Sequence, residues 1–461
     1  MRHVPEPTAR EQRLHHRCAR VRLTTVRDTE VRYAKQRDGK CLAYEVFGSG
    51  SSDVIVLQHS FPIDLLWDLP QLASFMEVLG GFARVIVFDR LGRGASDPIS
   101  DMSAATMETL SDGLLTVLDA AHADRVTLFD MSYGVHGVTF AATYPERVQS
   151  LILTHLQPSF PDLRDASAEQ RKQMARRWFE IEMLEIQNPR LAHDPLLRRW
   201  WDRAHRLLMS PQVAFEQIDF GAHIDVEPVL TAVQAPTLVL HRRESLTDIE
   251  TSRAAAAKIP EARFVELPGS ESDLFLGDTA PVLAEIERFL QEPETAATHD
   301  RVLATLLFTD IVASTEQLAA SGDDAWGRAI DEHDRTMDRL VARYRGRLVK
   351  STGDGILATF DGPARAVRCA AELLDAAATQ GITLRAGLHT GEIEIRPTDV
   401  IGIAVHTANR ISALAQPSEI LVSRTVVDLT AGSGLQFESR GEHQLKGVPG
   451  TWPTFAAMPS S

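Results

Sequence analysis

From Val31 onwards, short apolar runs alternate with longer amphipathic stretches. Val31–Ala34 and Leu42–Phe47 flank a turn at Asp38-Gly39, and Val54–Leu57, Val85–Phe88 and Val126–Phe129 are apolar in the manner of buried strands. Helical periodicity lies between them, as at Met107–Ala121. This alternation predicts a mostly parallel sheet with helices on both faces. A run of helices from Ala166 to about Phe220, rich in Trp178, Trp200 and Trp201, precedes further strands at Pro236–Leu240 and Arg263–Leu267.

The rhythm changes after Leu290. Gln291–His299 is polar, poor in apolar residues and contains Pro293, which marks a linker. Beyond it the pattern predicts strand Val302–Phe308, a long amphipathic helix around Trp326–Tyr344, and paired strands Arg347–Lys350 and Ile356–Phe360. Helix Gly362–Ala378, strand Thr383–Leu388, helix Gly402–Leu414, strand Ile420–Val422 and a final hairpin at Phe437–Lys446 follow. That order predicts an antiparallel-rich α+β sheet, ferredoxin-like in its core, with helices on one face. The expected organisation is a basic flexible tail (1–28), an α/β domain (29–290), a linker (291–300) and an α+β domain (301–458).

Composition narrows the class. A chain of 461 residues is too long for one core. A formal charge of -15 argues against a nucleic-acid partner. Cys18, Cys41 and Cys369 form neither a disulfide framework nor a zinc pattern, which fits a reducing compartment. No apolar run approaches the ~20 residues of a membrane span, and no apolar core follows the arginine-rich start as in a secretory signal. The expectation is a soluble, cytoplasmic protein with no membrane span.

Two candidate sites stand out. Leu306–Thr315 and Lys350–Gly355 each join an apolar run to a turn carrying one aspartate, Asp310 and Asp354. Two strand ends that each deliver a carboxylate can hold a pair of divalent cations over a triphosphate. Upstream, strand Val126–Phe129 runs into Asp130-Met131-Ser132-Tyr133-Gly134, the strand–turn–helix geometry of a nucleophile elbow.

With Phe88-Asp89-Arg90-Leu91-Gly92-Arg93-Gly94-Ala95-Ser96-Asp97 and Tyr144-Pro145-Glu146-Arg147, that elbow resembles the α/β-hydrolase family over roughly residues 31–290. The helices from Ala166 stand where that family carries its cap, and a cap packing on itself is the simplest expectation. The resemblance implies Ser132 as the nucleophile position, but the rest of the triad departs. Asp130 replaces the elbow's first glycine and should crowd the turn. The oxyanion loop reads Gln58-His59-Ser60-Phe61, Ser245 stands at the acid position beside Glu244, and Ser272 stands at the histidine position. Without an imidazole the serine lacks a general base, and losing one triad member costs orders of magnitude. His136, one helical turn past Ser132, reads as a packed or surface histidine. The resemblance thus implies a degenerate hydrolase that senses an unknown small ligand or scaffolds the second domain.

Phe308-Thr309-Asp310-Ile311-Val312-Ala313-Ser314-Thr315, Lys350-Ser351-Thr352-Gly353-Asp354-Gly355, Gly387-Leu388-His389-Thr390-Gly391-Glu392 and Asp399–Arg410 occur in the order seen in class III nucleotide cyclases, which the second domain resembles. The resemblance implies that Asp310 and Asp354 hold two Mg²⁺ or Mn²⁺ ions, with the Ile311 backbone beside them. Lys350 and Asp399 fall at the purine-reading pair, and a donor with an acceptor suits the adenine edge, so ATP is favoured over GTP. Arg410 matches the transition-state arginine and Lys446 the lysine that meets the terminal phosphates. His406 stands where many members have asparagine, and a histidine packed against the sheet is its alternative. The family shares its sites between protomers, so a head-to-tail homodimer is implied. The expected function is an adenylate cyclase controlled by its hydrolase-like half. A bifunctional enzyme with a live esterase half, and a weakly active nucleotide-binding signalling protein, are the alternatives.

Overall fold

A computed structural model describes residues 30–58, 60–99, 106–177, 180–291, 301–313, 323–351, 355–396 and 399–458. The expected tail, all of the expected linker except Gln291, and Trp178 lie outside the described residues.

The apolar runs of the first half assemble into one sheet: β1 (Arg32–Lys35), β2 (Cys41–Phe47), β3 (Ser52–Leu57), β4 (Ala83–Phe88), β5 (Val126–Asp130), β6 (Val148–Thr154), β7 (Thr237–Arg242) and β8 (Arg263–Leu267). Their order is β1-β2-β4-β3-β5-β6-β7-β8, with the β1–β2 and β2–β4 pairings antiparallel and the rest parallel. This is the α/β-hydrolase arrangement. Helices α1 (Pro70–Gly80), α2 (Met107–Ala120) and α3 (Val135–Thr143) precede a cap of α4 (Pro161–Asp165), α5 (Ala168–Arg177), α6 (Ile181–Gln187), α7 (Pro195–Leu208) and α8 (Pro211–His223). Helices α9 (Ile249–Ala256) and α10 (Ala280–Leu290) follow. Leu72, Phe75 and Ile286 from α1 and α10 cover one face, and Leu114, Val117, Val138 and Ala255 from α2, α3 and α9 cover the other. Burial on both faces is why the central strands are apolar throughout rather than alternating.

Two details depart from expectation. Strand β6 went unpredicted, because its apolar run follows directly on a 3₁₀ turn at Pro145–Arg147 that reads as the tail of a helix. Nor does the cap pack only on itself. Trp200 and Trp201 bury against the sheet domain, where Trp200 meets Phe61 and Phe275 and its Nε1 donates to the Leu65 carbonyl at 3.1 Å. An amphipathic aromatic with its N–H satisfied anchors one layer to the next.

The second sheet contains β9 (Arg301–Ile311), β10 (Arg347–Ser351), β11 (Ile356–Phe360), β12 (Leu384–Ile395), β13 (Val400–Ile401), β14 (Ile420–Ser423), β15 (Phe437–His443) and β16 (Trp452–Ala457). The order is β10-β11-β9-β12-β14-β16-β15, with β13 paired to β12, and only β12–β14 runs parallel. The last hairpin therefore joins β15 to β16 rather than closing within Phe437–Lys446. Helices α11 (Asp323–Arg343), α12 (Pro363–Thr379), α13 (Ile403–Leu414) and α14 (Arg424–Leu429) complete the domain. The expectation of helices on one face is corrected by the strand period. Leu307, Ile311, Leu384 and Leu388 face α11 and α12, whereas Leu306, Phe308, Leu357 and Ile393 face α13 on the other side. Gly387 permits that second layer, since a Cβ there would collide with the backbone of Ser412.

The two sheets share a buried boundary. Leu303, Leu429 and Ala431 join the apolar cluster of the first domain. Glu108 of α2 accepts hydrogen bonds from the Ala364 and Arg365 backbone N–H groups at 2.6 and 3.4 Å, so one domain caps the first turn of a helix in the other. Tyr144 Oη donates to Asp361 at 2.8 Å, and Asp112 accepts from Arg345 at 2.6 Å and also from Arg365. Burial raises the Glu108 carboxyl against the lowering effect of those donors.

Candidate functional site

Asp310 lies one residue from the end of β9, and the register places it directly opposite Arg385 of β12. Arg385 Nε donates to its carboxylate at 2.7 Å and Nη2 to the same oxygen, while Nη1 reaches the Ala413 carbonyl at the end of α13. The Asp310 side chain remains 27% exposed. Gly355 presses onto this strand end, where any Cβ would collide with the Thr309 carbonyl oxygen, so the glycine is dictated by the closeness of the two backbones. Asp354 lies outside the described residues. Ile311 is buried, with Leu384 opposite. A hard, partly open carboxylate oxygen at a strand end is a donor that suits Mg²⁺ or Mn²⁺, and Arg385 supplies positive charge on the same oxygen. Class III cyclase domains generally use divalent metal ions.

Lys350 and Asp399 come together across 49 residues. The ammonium donates to both carboxylate oxygens at 2.8 and 2.7 Å, with the side chains 45% and 40% exposed. That hydrogen bond holds the Asp399 carboxyl below its usual range. On α13, Arg410 Nε donates to the Lys446 carbonyl at 3.2 Å, which draws the arginine and the Lys446 loop together. His406 is exposed on the same helix, so the packed alternative fails. Ile403, one turn earlier, is 56% exposed, and the outer face of α13 presents Ile403, His406 and Arg410 in succession. The expected residues thus gather as a Lys350–Asp399 pair, an Arg410–Lys446 pair with His406 nearby in sequence, and Asp310 engaged separately by Arg385. Arg385 was missed from sequence. Its signal was a single charge within the apolar run expected as strand Thr383–Leu388.

The centre of the first domain is organised differently. Asp130 does not crowd its turn. Its carboxylate accepts from the Ser132 backbone N–H at 2.7 Å, the Ser132 hydroxyl at 2.6 Å and the Gly137 N–H at 2.8 Å. The left-handed non-glycine residue of the turn is Tyr133 (φ 66°), one past Ser132. The Phe61 N–H, on the loop that supplies an oxyanion donor in hydrolases, bonds to Gln58 Oε1 at 3.3 Å. Ser245 Oγ contacts His241 Nε2 at 3.2 Å, and Glu244 pairs outward with Arg190. At the histidine position the Ser272 N–H donates to the Gln187 carbonyl at 2.8 Å. Beside it Asp273 accepts from Ser60 and Asn188 at 3.2 and 2.9 Å. His136 is buried at 3% exposure, and burial, then the Arg90 charge, holds its imidazole well below its usual pKa.

Residues 295–458 match the family model described as the Adenylate and Guanylate cyclase catalytic domain. An adenylate cyclase of Streptomyces coelicolor is 30% identical over 141 residues, which is 30% of this chain and 37% of that protein. The chain spans 27% and 52% of two other curated relatives it matches. A solved adenylate/guanylate cyclase/hydrolase from Silicibacter pomeroyi is 28% identical, covering 35% of this chain and 98% of that one, with a TM-score of 0.32. A hydrolase from Pseudomonas aeruginosa PA01 is 22% identical, covering 58% of this chain and 100% of that one, with a TM-score of 0.48. Among the described residues no helix is long and apolar enough to cross a membrane.

Proposed function

Residues 295–458 form a class III nucleotide cyclase domain, and from that premise we propose that the chain is an adenylate cyclase regulated by its hydrolase-like half. It converts ATP to 3',5'-cyclic AMP and pyrophosphate at two composite sites of a homodimer. The observation that carries ATP is the Lys350–Asp399 pair, a donor beside an acceptor on an open rim, complementary to the adenine amino group and ring nitrogen. The Streptomyces coelicolor relative, named an adenylate cyclase, supports the same substrate.

Asp310, Asp354 and the Ile311 backbone would hold two Mg²⁺ or Mn²⁺ ions, whose chemistry is to acidify the ribose 3'-hydroxyl and to neutralise the triphosphate. The chain's own groups do the positioning. Lys350 and Asp399 hold the base, and Lys446 meets the terminal phosphates. The Arg410 fork lies against the α-phosphate as negative charge grows there. His406 donates one hydrogen bond towards ribose or phosphate. The outward face of α13, with Ile403 exposed, supports a site that borrows its carboxylates from a second protomer.

Mixing Asp310→Ala and Arg410→Ala chains tests the shared site. Each alone is inactive with Mn-ATP, whereas the mixture regains activity through one intact composite site. A mixture that stays inactive although heterodimers form contradicts the arrangement. Mn-GTP assayed beside Mn-ATP tests the base preference.

A further inference from the structure

A cavity of about 270 Å³, room for roughly nine waters at ~30 Å³ each, lies over Ser132 beneath the cap. Its wall is mainly apolar, including Leu110, Phe160, Met209, Ile218 and Phe220, and Gly432 of the second domain closes part of it.

Into this apolar space the chain places two guanidinium groups. Arg93 is 9% exposed, its Nη2 donates to Gln217, and its Nη1 has no partner. Arg90 Nη2 donates to Ser132 Oγ at 3.4 Å and its Nε has no partner. The neutral His136 lines the same wall with both ring nitrogens unpartnered. Buried polar hydrogens are ordinarily paired, so three unsatisfied side chains around one cavity point to a missing acceptor.

The nearby carboxylates Asp130 and Asp89 act on Arg90 and Arg93 through their charge, but accept no hydrogen bond from the unpartnered nitrogens. Asp130 is held by Ser132 and Gly137, and Asp89 accepts the Ile63 and Ala95 N–H groups at 3.1 and 2.9 Å. Glu216, also on the wall, takes the Gln212 amide at 2.7 Å. Among the described residues neither arginine forms a salt bridge. Burial and the neighbouring Arg90 charge pull the Arg93 guanidinium down to about 9, so it stays charged at neutral pH but gains from an anion.

We propose that this cavity binds an organic carboxylate, with its head at Arg90, Arg93 and His136 and its apolar body among Leu110, Met209, Ile218 and Phe220. An arginine fork matches a carboxylate, and the mainly apolar wall favours a carbon body over a bare inorganic anion. Gly432 puts such a ligand in contact with both domains. The proposal deepens the regulatory reading of this half but is measured by binding alone, so it stands or falls apart from the cyclase assignment.

The test is isothermal titration of the full chain with octanoate, with octanamide as its neutral isostere, and with inorganic phosphate. The expected result is octanoate binding at least ~10-fold tighter than either of the others, as a charge-assisted contact implies. In Arg93→Gln and Arg90→Gln the preference over octanamide is expected to disappear. Equal binding of octanoate and octanamide to the wild type overturns the proposal, as does phosphate binding as tightly as octanoate. No octanoate binding at millimolar concentration, or a preference that survives in both folded variants, overturns it too.

Discussion

The two halves place similar chemical groups in opposite states. Around Ser132 the groups at the nucleophile and oxyanion positions have turned to internal partners, Ser132 to Asp130 and Phe61 to Gln58, and Asp273 is taken up by Ser60 and Asn188, while Arg90, Arg93 and His136 keep unpartnered nitrogens towards the cavity. Around the second sheet, Lys350, Asp399, His406 and Arg410 stand on exposed rims, where even the Lys350–Asp399 ion pair keeps much of its surface in water. In the reading proposed above, a hydroxyl engaged by a buried carboxylate, with no imidazole at the expected position, acts as a structural brace. Charged side chains that keep two-fifths of their surface in water are available to a substrate. A nucleophile hydroxyl tied to a carboxylate, together with the loss of the histidine, is the difference we propose between a silent centre and an open one.

The sharpest way to break this contrast is Asp310→Ala, expected to lower cyclic nucleotide formation by on the order of 10³-fold while the fold persists. A circular dichroism spectrum beside the assay separates activity from folding. Acid comes next. Burial holds His389 at about 4, so between that value and the ~6.5 of a free imidazole the unfolded chain binds the extra proton. Stability therefore falls as pH drops from 6.5 towards 4, by about 3 kcal/mol from this residue. His389→Gln should lessen the fall of urea midpoints across that window by its own share. The first domain carries His155 and His205 at about 3 and about 4, so acid loosens both halves and does not distinguish their sites. Arg410→Lys keeps the charge but loses the planar fork, and should lower kcat by about 10²-fold with KM little changed. Glu108→Ala should destabilise the chain by about 1–3 kcal/mol by leaving the Ala364 and Arg365 N–H groups unpaired, measured by chemical denaturation. A null result there would uncouple the two regions.

Much of this was legible beforehand, for identifiable reasons. Period and turn residues exposed the strands leading to Ser132 and Asp310, because burial writes itself into apolar runs. The spacing of Asp399, His406 and Arg410 on one strand and helix carried the resemblance. What sequence spacing hid were contacts made by register and docking: Arg385 opposite Asp310, and Glu108 capping a helix 256 residues away. Arg90 and Arg93 sat in a quoted motif, but only the folded wall reveals that their hydrogens lack partners.

The central claim is that one centre works while the other is silent, and one preparation can test both. The full chain is assayed for cyclic AMP from Mn-ATP and for hydrolysis of a generic short-chain ester, beside Asp310→Ala and Ser132→Ala. The account predicts cyclic AMP that vanishes in Asp310→Ala, and ester hydrolysis no faster than in Ser132→Ala. Ester turnover that disappears with Ser132, or cyclic AMP formation indifferent to Asp310, would contradict it.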